Sequence, residues 1–162
     1  MPTIATQARK RRAAPARSHR LKLTVQSNVA SHDVPSREAL RRIASAALEC
    51  DANVTLRIVD GREGRALNRR YRHRDYATNV LTFVYDDGMS LAGDIVLCAP
   101  VVAREARAQR KTQKAHYAHL VIHGMLHLQG YDHERDDEAA RMEAREIRLL
   151  RELGYDDPYA ER

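Results

Sequence analysis

The segment 123–133, HGMLHLQGYDH, limits how this chain can fold more than any other feature of its sequence. His123 and His127 are four residues apart in an apolar stretch, so on a helix both imidazoles project from one face, a single turn apart. Gly130 can adopt the left-handed backbone that ends a helix, after which His133 can turn back toward the pair. The fold therefore has to end a helix where three imidazoles can meet.

These three imidazoles have the composition of a catalytic zinc site. Structural zinc sites normally have four protein ligands, often cysteines, whereas three ligands and one open position are typical of catalysis. We therefore predict one Zn²⁺ per chain, bound by His123, His127 and His133. Imidazole also suits nickel and cobalt, so the ligand type leaves the identity of the metal open.

Two other interpretations of the histidines have to be weighed. A pair spaced i,i+4 can be purely structural, and His119 also lies four residues before His123. Five of the eight histidines of the chain, however, lie between His116 and His133, which favours a metal site over a structural cluster. We prefer the downstream trio because only that choice accounts for Gly130 and His133.

The residue at position 124 argues against one class of zinc enzyme, the proteases. The spacing H-x-x-x-H-x-x-G-x-x-H also occurs in zinc proteases, where a Glu after the first histidine acts as general base on the metal-bound water. Here that residue is Gly124, which has no side chain. The helix thus supplies ligands but no base, and peptide hydrolysis loses its main proton acceptor.

Length and composition predict one globular domain that stays in the cytoplasm. The chain has 162 residues, of which 43% are hydrophobic and 31% charged, as in ordinary globular domains. We find no apolar stretch long enough to span a membrane and no secretory signal. Cys50 and Cys98 form no C-x-x-C pair, so we expect two reduced thiols.

The basic excess of the chain lies at its N-terminus. The net charge is +6, and residues 1–32 hold seven Lys or Arg and no acid, which leaves 21 basic and 22 acidic residues elsewhere. Residues 1–20 have no apolar periodicity and predict a disordered basic arm, although such a terminus is also typical of an organellar transit peptide. Residues 21–162 then form the single folded domain.

The hydrophobic periodicity predicts an α+β fold. Alternating apolar residues predict strands at 21–25, 54–58, 80–85 and 95–99, with an Asp86-Asp87-Gly88 turn before the last. Helical spacing predicts helices after Pro35 and at 61–71, 101–110, 113–129 and 136–153. We expect a small mixed sheet of about four strands covered by about five helices, with the zinc-binding helix packed on the sheet.

Two basic stretches precede the predicted site in the sequence. Residues 62–74 hold six arginines and one acid, and residues 104–114 form the second stretch. Solvated helix faces often have this composition. Beside a metal site, such stretches also fit a groove for a phosphate backbone, and the sequence leaves both interpretations open.

Together these motifs resemble the YbeY-type bacterial endoribonucleases of rRNA maturation. Residues 123–133 match every fixed position of the family pattern H-G-x-L-H-L-x-G-Y-D-H. Residues 67–83 resemble a second pattern, L-N-x-x-Y-R-x-x-D-x-x-T-N-V-L-S-F, with Thr82 in place of Ser. Gly93-Asp94-Ile95 and Leu153-Gly154-Tyr155 agree as well, so the likeness spans about residues 21–160 and leaves out the N-terminal arm.

The resemblance implies a zinc-dependent endoribonuclease specific for single-stranded RNA, acting in 3′ end processing of small-subunit rRNA and in ribosome quality control. It implies that the trio binds zinc and that Arg72 is the catalytic arginine, since a guanidinium can hold a phosphate and stabilise charge on its oxygens. Expected partners are single-stranded RNA, rRNA and ribosomal particles, with no membrane and no DNA. His119 and Asp132 are candidates for orienting the ligands through hydrogen bonds, although each fits a core or capping role equally well.

The mechanism and the rival functions stay open at this point. A zinc ion can activate a water molecule, or act as a Lewis acid on a phosphate oxygen while a ribose hydroxyl attacks. The rivals are a zinc-stabilised RNA-binding assembly factor without catalysis, a zinc peptidase with an unusual base, and a zinc hydrolase of small phosphate substrates. RNA cleavage that stops with a chelator would separate the nuclease from all three.

Overall fold

A computed structural model describes residues 18–86 and 90–160 of the chain. The predicted N-terminal arm up to residue 17, and Asp87 and Gly88 of the predicted turn, lie outside the described residues. Strands and helices alternate at first, and the chain is helical after the fourth strand. The elements are β1 (Leu21–Ser27), α1 (Arg37–Ala46), β2 (Ala52–Val59), α2 (Gly61–Arg72), β3 (Val80–Asp86), β4 (Leu91–Cys98), α3 (Ala99–Ala108), α4 (Gln113–Leu128) and α5 (Asp136–Glu152).

The four strands form one mixed sheet in the order β1-β2-β4-β3. β1 pairs with β2 and β2 with β4 in parallel, whereas β3 pairs with β4 antiparallel and forms one edge of the sheet. Arg20, the last residue of the predicted arm, already joins this pairing: its carbonyl accepts a hydrogen bond from the backbone N–H of Ala52 at 2.9 Å. The folded chain therefore extends at least to Arg20.

The helices cover the sheet unequally. Apolar residues of α1 and α4 pack against Val54, Leu56 and Ile58 of β2 in the main core, and α5 packs on α4 through Met142 and its neighbours. A smaller core on the opposite face joins α2 and the start of α3 to the sheet. α4 contacts α1 as well as β3 and β4, so it lies across the centre of the main face and reaches toward the β3 edge.

Two glycines allow α4 to approach the sheet closely. A Cβ at Gly124 would lie 3.0 Å from the Ile95 side chain, and one at Gly93 would lie 2.7 Å from both the Leu128 side chain and the Phe83 carbonyl oxygen. Position 124 thus faces the sheet. The absence of a side chain there, predicted to remove the protease base, also permits the contact between helix and strand.

The predicted α+β fold, with five helices and a four-stranded mixed sheet, is confirmed. Its one inaccurate strand is β4, which begins at Leu91 rather than Ile95. Gly93 and Asp94 have low strand propensity, but pairing with strands on both sides overrides it. The last residue of the predicted strand, Ala99, instead begins α3, because Pro100 suits the first turn of a helix. None of the helices in the described residues is long and apolar enough to cross a membrane.

Candidate active site

Helix α4 lines up four histidines along one side. Thr112 begins the helix by accepting a hydrogen bond from the Ala115 backbone N–H at 3.1 Å. The ring centres of successive histidines in the row His116, His119, His123 and His127 are 6.1, 6.4 and 6.0 Å apart. The spacing of these four histidines therefore places their rings in one stripe along α4.

The end of α4 returns the chain toward this stripe. Gly130 has a φ of +100°, the left-handed conformation that the sequence predicts. The backbone N–H groups of Gly130 and Tyr131 donate to the carbonyls of His127 and Leu126, both at 3.1 Å, which is the Schellman pattern of helix termination. The next residues reverse direction and bring the His133 ring beside the helix.

The structure brings His123, His127 and His133 together. The His133 ring centre lies 5.5 Å from that of His123 and 5.7 Å from that of His127. Imidazoles that share one tetrahedral zinc ion, with Zn–N bonds of about 2.0–2.1 Å, have ring centres about 5.2 Å apart. In residues 18–85 and 90–160, no group of three or more His, Cys, Asp or Glu side chains has the closed geometry of a metal centre. The trio is thus slightly wider than a loaded site, and the ligand set stays a prediction.

Hydrogen bonds orient two of the three rings. Nδ1 of His123 lies 2.6 Å from Oε1 of Glu146, and Nδ1 of His127 lies 2.8 Å from the carbonyl oxygen of Tyr131. A carboxylate and a carbonyl can only accept, so each Nδ1 carries the proton and each Nε2 keeps its lone pair. This is the arrangement in which metal-binding histidines are usually held. The residues present therefore fit a metal ion bound through Nε2.

Glu146 of α5 is a residue of the candidate site that the sequence analysis did not single out. Its side chain is 0% exposed, and it accepts hydrogen bonds from His123, from Nε2 of His119 at 3.1 Å, and from the Tyr159 hydroxyl. Burial alone would raise the pKa of this carboxyl group, but the three donors outweigh burial and lower the pKa to about 2. A buried, ionised carboxylate thus stands directly behind the predicted ligand His123.

The sequence does contain a signal that the side chain of Glu146 is buried. It lies four residues after Met142 and three before Leu149, on the buried face of α5, where an acid is unusual. The spacing predicts burial of an acidic side chain. It does not predict the partner, because His119 and His123 are 27 and 23 residues away in the sequence.

His119 and Asp132, the residues proposed to orient the ligands, occupy different positions. Nε2 of His119 contacts Glu146 and lies 3.2 Å from the Tyr159 hydroxyl, so its hydrogen-bond connection to His123 runs through Glu146. Oδ1 of Asp132 accepts from the backbone N–H of His133 at 2.7 Å. Asp132 therefore stabilises the turn that carries His133 and does not orient an imidazole ring through this hydrogen bond.

Arg72 is the last residue of α2 and lies at the β3 edge. A left-handed His73, with φ of 58°, ends the helix there, and the side chain of the buried Asn68 holds the following loop by donating to the Tyr76 carbonyl at 2.7 Å. The Arg72 guanidinium donates to the Thr82 carbonyl at 3.1 Å. Thr82 pairs with Ile95, the strand residue on which α4 packs. Arg72 is thus anchored on β3, a strand that α4, the helix of the histidines, also contacts.

Comparison with known proteins identifies the family. The model of the Endoribonuclease YbeY family matches residues 23–154. Similar proteins named Endoribonuclease YbeY come from Aromatoleum aromaticum, 58% identical over 88% of this chain and 95% of the relative, and from Nitrosospira multiformis, 53% identical over 93% and 87%. The solution structure of TM1509 from Thermotoga maritima is similar with a TM-score of 0.55 and 26% identity, covering 82% of this chain and 91% of that one. The chain therefore belongs to the YbeY endoribonuclease family.

Proposed function

We propose that this chain is a zinc-dependent endoribonuclease that cleaves single-stranded RNA, with His123, His127 and His133 as the ligands of one Zn²⁺. The observation that carries the proposal is the orientation of His123 and His127, whose Nδ1 atoms are both engaged by acceptors while His133 stacks beside them. The similar proteins are named as endoribonucleases, which supports the same reaction class. A bound zinc ion would supply Lewis acidity and a water of lowered pKa.

Two side chains of the protein, Glu146 and Arg72, would assist the reaction. Glu146 holds the proton of His123 on Nδ1 and so keeps Nε2 available as a ligand. Arg72 supplies a planar guanidinium with five N–H donors, of which one is used on the Thr82 carbonyl. The remaining donors can bind a phosphate and stabilise the negative charge that grows on its oxygens during cleavage.

The proposed substrate is single-stranded RNA, and the proposed setting is rRNA maturation at the 3′ end of the small-subunit rRNA, together with ribosome quality control. Ribosomal particles in the cytoplasm are then the proposed partners. The basic N-terminal arm, residues 1–20, would add phosphate contacts that strengthen binding without taking part in the chemistry. The domain proposed to carry the reaction is residues 21–162.

The experiment is a cleavage assay on three substrates with the purified full chain. We expect cleavage of a labelled single-stranded RNA, little cleavage of the same sequence in a duplex, and none of casein. Tight RNA binding without any cleavage would favour the assembly factor instead. Casein cleavage would favour the peptidase, although the position after His123 faces Ile95 of the sheet and provides no base.

A further inference from the structure

Three aromatic side chains form a partly exposed row at the β3 edge. Phe83 and Tyr85 are two residues apart on one strand, so they lie on the same face, about 7 Å apart along the strand. The Tyr71 ring, at the end of α2, contacts Phe83 edge to face with ring centres 5.1 Å apart. Tyr71 is 48% exposed and Tyr85 51%. We call Tyr71, Phe83 and Tyr85 the aromatic row.

Two arginine side chains lie beside the aromatic row. The Arg70 guanidinium carbon lies 5.3 Å from the Tyr71 ring centre, and that of Arg72 lies 5.9 Å from the Phe83 ring centre. Within residues 18–85 and 90–160, no carboxylate forms an ion pair with Arg70 or Arg72, whereas nearby Arg65 is paired with Asp75 at 2.8 Å. The row thus combines exposed rings with cations whose charge no acid in this part neutralises.

Exposed aromatic rings beside arginines fit one class of ligand, single-stranded nucleic acid. Proteins bind single-stranded nucleic acid by stacking bases on aromatic rings beside cations that hold the phosphates. An added β-strand from another protein fits less well, because Arg72 already occupies the Thr82 carbonyl at the open edge and charged side chains oppose strand addition. The Tyr85 ring is also held in place, since its hydroxyl donates to the Asp94 carboxylate on β4.

We propose that Tyr71 stacks on an unpaired base of the RNA, on the nucleotide next to the phosphate that Arg72 contacts. This inference rests on the proposed function for the identity of the RNA, and it adds a reason for single-strand preference. In a duplex, both faces of each base are covered by neighbouring base pairs, so no face is available to Tyr71. In a single strand, a base can turn outward and stack on the ring at little cost.

The test compares Tyr71→Leu with Tyr71→Phe, which keeps the ring and serves as the matched control. Each full-length protein is titrated against a fluorescein-labelled single-stranded RNA of ten nucleotides and against the same backbone with abasic linkers, and gels confirm that the RNA is intact. A stacked base is worth enough for Tyr71→Leu to weaken binding of the base-containing RNA by about tenfold. Tyr71→Phe should stay within about twofold of the wild type, and all three proteins should bind the abasic backbone equally.

Two results would overturn the proposal. One is wild-type affinity of Tyr71→Leu for the base-containing RNA, and the other is an equal loss on the abasic backbone, which would mean a general loss of structure or phosphate contact. Thermal melting identifies a variant that fails to fold. If Tyr71→Leu fails to fold, the comparison is made with the wild-type protein alone. Equal affinity of the wild type for base-containing and abasic RNA would then exclude base stacking on Tyr71. Base-dependent binding without cleavage would contradict the proposed nuclease function but would still support base stacking on Tyr71.

Discussion

Replacing Glu146 by Gln tests the link between the buried carboxylate and the predicted zinc site. The amide keeps one acceptor oxygen and places an N–H₂ donor where the second oxygen was. We expect the N–H₂ group to turn toward His119 and Tyr159, because an imidazole can change tautomer and a hydroxyl can rotate. His123 would then keep a hydrogen bond, but to a neutral acceptor. Glu146→Ala would leave His123 with no acceptor at all.

The size of the effect follows from the contacts of the carboxylate. Hydrogen bonds to a charged group contribute about 1 kcal/mol more than neutral ones, and Glu146 accepts three, which gives about 3 kcal/mol of folding stability. Lowering the pKa from 4.5 to about 2 corresponds to a similar free energy. Because the folded-state pKa is depressed, this contribution is present above pH 4.5 and is lost as the pH falls from 4.5 toward 2.

The assay measures zinc affinity and stability separately. Metal-free protein competes with a chromophoric chelator for Zn²⁺, and urea denaturation of the metal-free protein gives the free energy of unfolding. We expect about tenfold weaker zinc binding for Glu146→Gln and about 100-fold for Glu146→Ala, the range for residues that orient ligands. Glu143→Gln, an exposed position on the same helix, should change neither quantity. Unchanged zinc affinity in a folded Glu146→Ala protein would refute the orienting role.

Four further outcomes are expected. His133→Ala should lose zinc in elemental analysis while His119→Ala keeps it, and the opposite pattern would mean that the wrong trio was chosen. Arg72→Lys should keep zinc but cleave labelled RNA at least about tenfold more slowly, because an ammonium lacks the planar fork; a normal rate would contradict the role. Gly93→Ala should lower the free energy of unfolding in urea by about 1–3 kcal/mol, since its Cβ would lie 2.7 Å from a leucine side chain and a strand carbonyl; unchanged stability would show that the strand shifts freely. Deleting residues 1–19 should flatten the salt dependence of RNA affinity with fold and zinc intact, and equal slopes would show that the arm makes no contact.

Local signals in the sequence predicted much of the candidate site. Gly130 predicted the end of α4, and the observed helix Gln113–Leu128 differs from the prediction by one residue. The spacing of His123 and His127 placed their rings together because helix geometry is local. The return of His133 also followed from a local feature, the left-handed glycine. Each of these predictions needed only neighbours within about three turns of the chain.

The features that the sequence did not predict depend on contacts between distant segments. Glu146 meets its histidine partners only because α5 packs on α4. The start of β4 at Leu91 depends on pairing with β2 and β3 rather than on strand propensity. Arg72 was chosen from the family pattern, because nothing local distinguishes it from the other arginines of α2. Its hydrogen bond to Thr82 is visible only in the folded chain.

The most direct test of the central claim is metal content and RNA cleavage measured on the same purified sample. We expect one zinc per chain, cleavage of single-stranded RNA that stops when a chelator removes the metal, and recovery of cleavage when Zn²⁺ is returned. Full cleavage by protein shown to contain no metal would contradict this claim.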